Sequence, residues 1–143
     1  MNEQPTFVDT WGWVALGSPR DGAHREVTDV FRTLRAAGVP IVTSDFVLDE
    51  LITLLFRREP HDRAFRFVEK LLGAADTGHM TIERVTPQRF SAAWELRKRF
   101  HDKPTISFTD LCSMGMMSER EIRQVITDDD HFLHVGMGFQ KLP

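Results

Sequence analysis

Short apolar runs, each followed by a stretch with helical periodicity, constrain this chain more than any other feature. Thr6-Phe7-Val8-Asp9, Val39-Pro40-Ile41-Val42-Thr43, Met80–Val85 and Arg123–Thr127 have the length and composition of short strands. Between them, apolar residues recur every three or four positions. Val27, Val30, Phe31 and Leu34 do so before Gly38, and a Ser44-capped segment runs to about Arg58. Ala64, Phe65, Val68, Leu71 and Leu72 share a helical face after Pro60, as do Phe90, Ala93, Trp94 and Leu96 after Thr86-Pro87. Asp9 or Thr10 starts a helix to Leu16, residues 17–22 form a loop, and Ser107 opens a helix through Met117. Met80–Val85 reads as a strand near an edge, and Met137–Leu142 as a short edge strand. Strands alternating with helices need crossover connections, which pair strands in parallel. The pattern predicts an α/β fold, a three-layer α/β/α sandwich around a mostly parallel sheet. With 143 residues and no linker or repeat, residues 1–143 read as one domain.

The charge excludes one class of partner mechanism. A formal net charge of −3 lacks the basic bias of proteins that hold nucleic acid by bulk electrostatics, so any such contact must be local. Cys112 is the single cysteine, which rules out an internal disulfide and fits a reducing compartment. No basic segment followed by an apolar one suggests a signal peptide, and no apolar run approaches a bilayer span. The expectation is a cytoplasmic protein without membrane contact.

Acids mark the places where strands give way to helices. Asp9 closes the first strand, and Asp128, Asp129 and Asp130 close Val125-Ile126-Thr127. Glu50 and Asp110 fall early in helices. In an open α/β sheet the carboxyl ends of the strands line one crevice, where ligands bind. Acids gathered there repel one another unless a cation lies among them, and oxygen ligands select a hard ion such as Mg²⁺ or Mn²⁺. Each acid also has a structural reading. Asp9 can be a helix N-cap. Glu50, on a largely apolar face beside Phe46, Val47 and Leu54, can belong to a buried salt bridge. Asp110 can close a capping box with Ser107, and Asp130 one with Thr127. The joint pattern outweighs these, because one acid suffices for a cap. Beside a phosphodiester, such a cluster suits hydrolysis by a metal-activated water.

The same residues resemble the successive motifs of PIN-domain ribonucleases. Phe7-Val8-Asp9-Thr10 comes first, then Thr43-Ser44 with Val47-Leu48-Asp49-Glu50-Leu51. Ile106-Ser107-Phe108-Thr109-Asp110, Ile126-Thr127-Asp128-Asp129-Asp130-His131-Phe132 and Gly136-Met137-Gly138-Phe139 follow in the family's order. The resemblance implies a compact α/β/α fold and divalent-metal-dependent endoribonuclease activity on RNA. It also implies frequent homodimerisation and, for so small a chain, the toxin of a VapBC-type pair with a cognate antitoxin. By motif position it assigns Asp9, Glu50, Asp110 and Asp129 as the catalytic, metal-holding acids, with Asp128 an extra or water-mediated ligand. Thr127 would position the last acid or a phosphate, and Thr10 and Ser44 would be supporting hydroxyls.

The chain departs from the family where Trp11-Gly12-Trp13 follows the first Asp-Thr. Packing is the simplest role for these tryptophans, with base stacking or a narrowed cleft as alternatives. His131 reads as a helix-start residue or a phosphate contact. Arg57, Arg58, Arg63, Arg66 and Arg97-Lys98-Arg99 read mostly as solvated faces that can also meet RNA phosphates. Apolar residues over 46–72 exceed what one amphipathic face needs, which suggests an interface. Three rivals stand beside this reading. A haloacid-dehalogenase-like phosphatase would want an acid where Trp11 stands. A receiver domain would want paired acids after the first strand and a later lysine. A non-catalytic PIN-like binding module would use the acids only as caps and salt bridges.

Overall fold

The computed structural model of the chain describes residues 4–143. Five short strands, β1 (Thr6–Val8), β2 (Ile41–Ser44), β3 (Thr81–Glu83), β4 (Gln124–Ile126) and β5 (Gln140–Leu142), form one sheet in the order β3-β2-β1-β4-β5. Every neighbouring pair is parallel, so the sheet is wholly rather than mostly parallel. The helices are α1 (Thr10–Gly17), α2 (His24–Ala36), α3 (Asp45–Arg58), α4 (His61–Asp76), α5 (Pro87–Arg99), α6 (Phe108–Glu119) and α7 (His131–His134). Both outer strands were legible as edges in the sequence. The single turn α7 was not, since four residues carry no periodicity.

The helix boundaries follow from capping chemistry. Ser44 accepts the Val47 N–H, Thr86 accepts the Arg89 N–H ahead of Pro87, and Ser107 accepts the Asp110 N–H. Gly38 closes the turn after α2 with φ 72°, a conformation that costs glycine little. Gly12 allows a close approach instead: a Cβ there would lie 2.7 Å from Ile126 Cγ2. Helix α1 therefore rests directly on β4, which brings the start of α1 against the end of β4. Phe7, Val8, Val125 and Ile126 of the two central strands are fully buried. The Trp13 indole donates to Thr43 Oγ1 at 3.0 Å, and that hydroxyl donates to the Val8 carbonyl at 2.9 Å. Trp13 is thus a packing residue, as expected.

Two expectations are corrected. Phe65 and Leu72 do not share the packed face of α4. Ala64 and Leu71 are buried, whereas Phe65 is 52% exposed and Leu72 39%. The buried stripe is narrower than the apolar stripe because α4 packs chiefly on α3. The Arg97-Lys98-Arg99 run does not present a uniform basic face either. Arg97 donates to the carbonyls of Phe100, Lys103 and Ile106 at 2.7 Å each, which closes the turn before α6. Lys98 pairs with Glu95 at 2.7 Å.

The topology fixes where a ligand can bind. The chain builds β1, β2 and β3 outward in one direction, then crosses to β4 on the other side of β1. The reversal leaves a crevice at the carboxyl ends of β1 and β4. Asp9 and Thr127 are the residues that follow those two strands.

Candidate metal centre

Asp9, Glu50, Asp110 and Asp129 approach this crevice from different elements. Asp9 is 5% exposed. It occupies the N-cap position of α1 but makes no side-chain cap bond; its Oδ2 instead accepts the Thr127 hydroxyl at 2.8 Å. Glu50, in the second turn of α3, accepts the Thr10 hydroxyl at 2.9 Å. Asp110 lies in the first turn of α6 and is 8% exposed. Asp129 is held from three sides. Its N–H donates to Thr127 Oγ1 at 3.1 Å, its carboxylate accepts the His131 N–H at 2.9 Å, and His131 Nδ1 lies 3.2 Å from its Oδ2. Asp9, Glu50 and Asp110 line a cleft of about 270 Å³. Asp110, Asp129 and His131 each offer a ligand atom within 4.8 Å of the other two.

The electrostatics of the site bear on the structural and functional readings. Among the described residues no ion pair reaches Asp9, Glu50 or Asp110. The buried Glu59, by contrast, is met by Arg20 at 3.2 Å and Arg63 at 3.0 Å. Burial pushes the Asp9 carboxyl up from 3.8 to about 6, against the Thr127 hydrogen bond and with help from the Glu50 and Asp129 charges. Burial raises Asp110 further, to about 8, with Asp9, Glu50 and a hydrogen bond to Asp129 adding to it. Among the described residues Glu50 has no salt-bridge partner, and Asp9, though at the N-cap position, makes no side-chain cap bond. Desolvated acids without a counter-charge fit a bound cation, and the donor set is chiefly oxygen, as a hard divalent ion needs.

Three sequence assignments change. Asp128 is exposed and neither lines the acid cleft nor groups with Asp110, Asp129 and His131. Ser44 caps α3 by accepting the Val47 N–H, and among the described residues it makes no hydrogen bond to these acids. His131 is a member of the cluster rather than a plain helix-start residue, with Nε2 also 3.0 Å from Thr105 Oγ1. The Asp129-x-His131 spacing, which suits an aspartate turn two residues on, was the available signal.

Thr127 ties two acids together through one hydroxyl, donating to Asp9 and accepting from the Asp129 backbone. Thr127→Val keeps the shape and removes both bonds. The expected result is a stability loss of about 1–2 kcal/mol and a 10–100-fold fall in activity, the range for residues that orient metal-holding groups. Denaturant melts and an RNA cleavage assay check this, and full activity in Thr127→Val would remove Thr127 from the site.

Comparison with known proteins agrees with this geometry. The PIN-domain family model matches residues 6–137. The chain belongs to the PIN-domain family. Among solved PIN-domain structures it is similar to VapC20 of Mycobacterium tuberculosis, a toxin that cleaves the sarcin–ricin loop. The two share 32% identity over 92% of this chain and 95% of that one, with a TM-score of 0.76. VapBC2 of Rickettsia felis, bound to a promoter DNA fragment, matches at 15% identity over 96% and 98% of the two chains, with a TM-score of 0.74. DNA-bound VapBC of Salmonella typhimurium matches at 16% identity over 96% of each chain, with a TM-score of 0.69. The last two show the fold alone. No curated protein sequence matches the chain significantly. As a VapC-like PIN domain the protein is an endoribonuclease by class. The phosphatase and receiver readings are set aside. No helix among the described residues is long and apolar enough to cross a membrane.

Proposed function

We propose that the protein is the ribonuclease toxin of a VapBC-type pair, acting in the cytoplasm, and that Asp9, Glu50, Asp110 and Asp129 hold its divalent ion. One observation carries the assignment: three of these acids face one cleft and the fourth lies beside Asp110, with no cationic side chain among the described residues paired to Asp9, Glu50 or Asp110. Oxygen donors favour Mg²⁺ or Mn²⁺. When bound, such an ion supplies a water of lowered pKa and neutralises charge developing on a phosphodiester. The protein's own groups do the rest. Thr127 and Thr10 fix the orientation of Asp9 and Glu50. His131 steadies Asp129 from its backbone N–H and ring. The substrate is RNA, and EDTA should stop its cleavage while added Mn²⁺ restores it. Cleavage that continues at full chelation would favour a different chemistry.

A cognate antitoxin and a homodimer belong to the same reading. Phe56 and Phe65 flank His61, with ring centroids 5.5 and 6.1 Å from it, and Ile52 is exposed on the same pair of helices. This apolar surface on α3 and α4 supports self-association. Phe65→Asp should convert a dimer to a monomer in light scattering while the fold stays intact, since Phe65 is half exposed. A wild-type monomer would refute the dimer.

A further inference from the structure

Resting on the ribonuclease reading, we infer that Arg58 is a substrate-binding residue that holds an RNA phosphate away from the scissile one. Glu50, Leu54 and Arg58 all line the acid cleft. Their spacing of four residues places them along one face of α3. At a rise of 1.5 Å per residue, Arg58 stands about 12 Å along the helix from Glu50. That backbone offset along the cleft suits a phosphate neighbouring the one held among the acids. Of the residues lining this cleft, Arg58 is the sole cation.

The surrounding contacts hold the backbone at this point and leave the side chain available. Glu59 is buried and accepts Ser18 Oγ at 2.9 Å, Arg20 at 3.2 Å and Arg63 at 3.0 Å. Arg20 also donates to the Arg58 carbonyl at 3.0 Å. Arg20 and Arg63 are therefore committed to Glu59, and the end of α3 is clamped. Among the described residues the Arg58 guanidinium has only a long ion-pair contact, 3.9 Å to Asp21, and its side chain is 54% exposed. A planar fork of donors beside an acid-rich cleft recognises phosphate, and an acidic ligand there would be repelled without it. Arg57, one residue earlier, is exposed but does not line the cleft.

The adjacent arginines provide a charge-matched test. Arg58→Gln and Arg57→Gln change net charge equally. Binding of a short fluorescein-labelled single-stranded RNA is read by anisotropy across a salt series in EDTA, and cleavage of the same RNA is read with Mn²⁺. Arg58→Gln should weaken RNA binding severalfold, reduce the slope of log affinity against log salt by about one, and raise KM with kcat little changed. Arg57→Gln should move none of these. Arg58→Lys should keep the salt slope and recover part of the affinity, which a folding defect would not allow. Equal behaviour of the two glutamine variants, in a protein that cleaves RNA, would overturn the proposal and leave the ribonuclease reading standing. A wild-type protein that neither binds nor cleaves RNA would overturn both.

Discussion

Asp110→Asn is expected to abolish RNA cleavage, by about 10³-fold or more, while raising the melting temperature of the metal-free protein at neutral pH. The first effect corresponds to about 4 kcal/mol of lost transition-state stabilisation. It follows from removing a ligand oxygen that lies within 4.8 Å of one from Asp129 and shares a cleft with Asp9 and Glu50. The second effect has the opposite sign because the site is destabilising without an ion. Asp110 is buried and surrounded by like charge, and its carboxyl is pushed up to about 8. Asparagine keeps the shape and the backbone bond to Ser107. Asparagine needs no proton on folding, whereas this carboxyl, ionised in the unfolded chain at neutral pH, must take one up; removing that cost should recover on the order of 2 kcal/mol, which for a chain of this size is roughly a 5 °C rise. Circular dichroism melts with EDTA and a fluorescent-RNA assay with Mg²⁺ measure both. Unchanged cleavage would leave Asp110 as no more than a residue of the first helical turn.

The same cluster should make stability fall as pH rises when metal is absent. Asp9 and Asp110 have folded values of about 6 and about 8, above their ordinary 3.8. The folded state therefore holds more protons than the unfolded chain between pH of about 4 and about 8. Stability then declines with rising pH across that window, and the penalty is absent below it. Coordination needs deprotonated carboxylates, so a divalent ion should offset the penalty most at the alkaline end. At a concentration about 100 times its Kd, an ion adds about 2.7 kcal/mol to the folded state. The gain in melting temperature from Mg²⁺ or Mn²⁺ should grow with pH through the window and shrink in Asp9→Asn. A metal-free melting temperature that rises with pH across it would contradict the burial of these acids.

Much of this was legible from residue order. Strand–helix alternation gave the parallel sheet because crossovers admit few other pairings. The placement of Asp9, Asp110 and Asp129 was legible because they fall at predictable boundaries that the topology sends to one crevice; Glu50, in the second turn of α3, was legible from its apolar surroundings. Ser44, Thr86 and Ser107 were readable as caps because capping is local. What escaped the sequence depends on contacts between distant elements. The exposed side of α4 depends on how far α3 reaches. Arg97 meets three carbonyls of a turn whose shape has no local signature. The separation of Asp129 from Asp128 depends on a turn in which Thr127 and His131 both grip the same residue. His131 itself enters the site only because that turn folds its ring back.

Direct Mn²⁺ binding, followed by the electron paramagnetic resonance of the free ion at neutral pH, tests the central claim most closely. Wild type, Asp9→Asn and Asp110→Asn would be titrated in parallel, with RNA cleavage read in the same samples. The account expects saturable binding to the wild type, at least tenfold weaker binding to each variant, and cleavage that follows occupancy. Equal Mn²⁺ affinity in all three proteins, or cleavage independent of the ion, would contradict it.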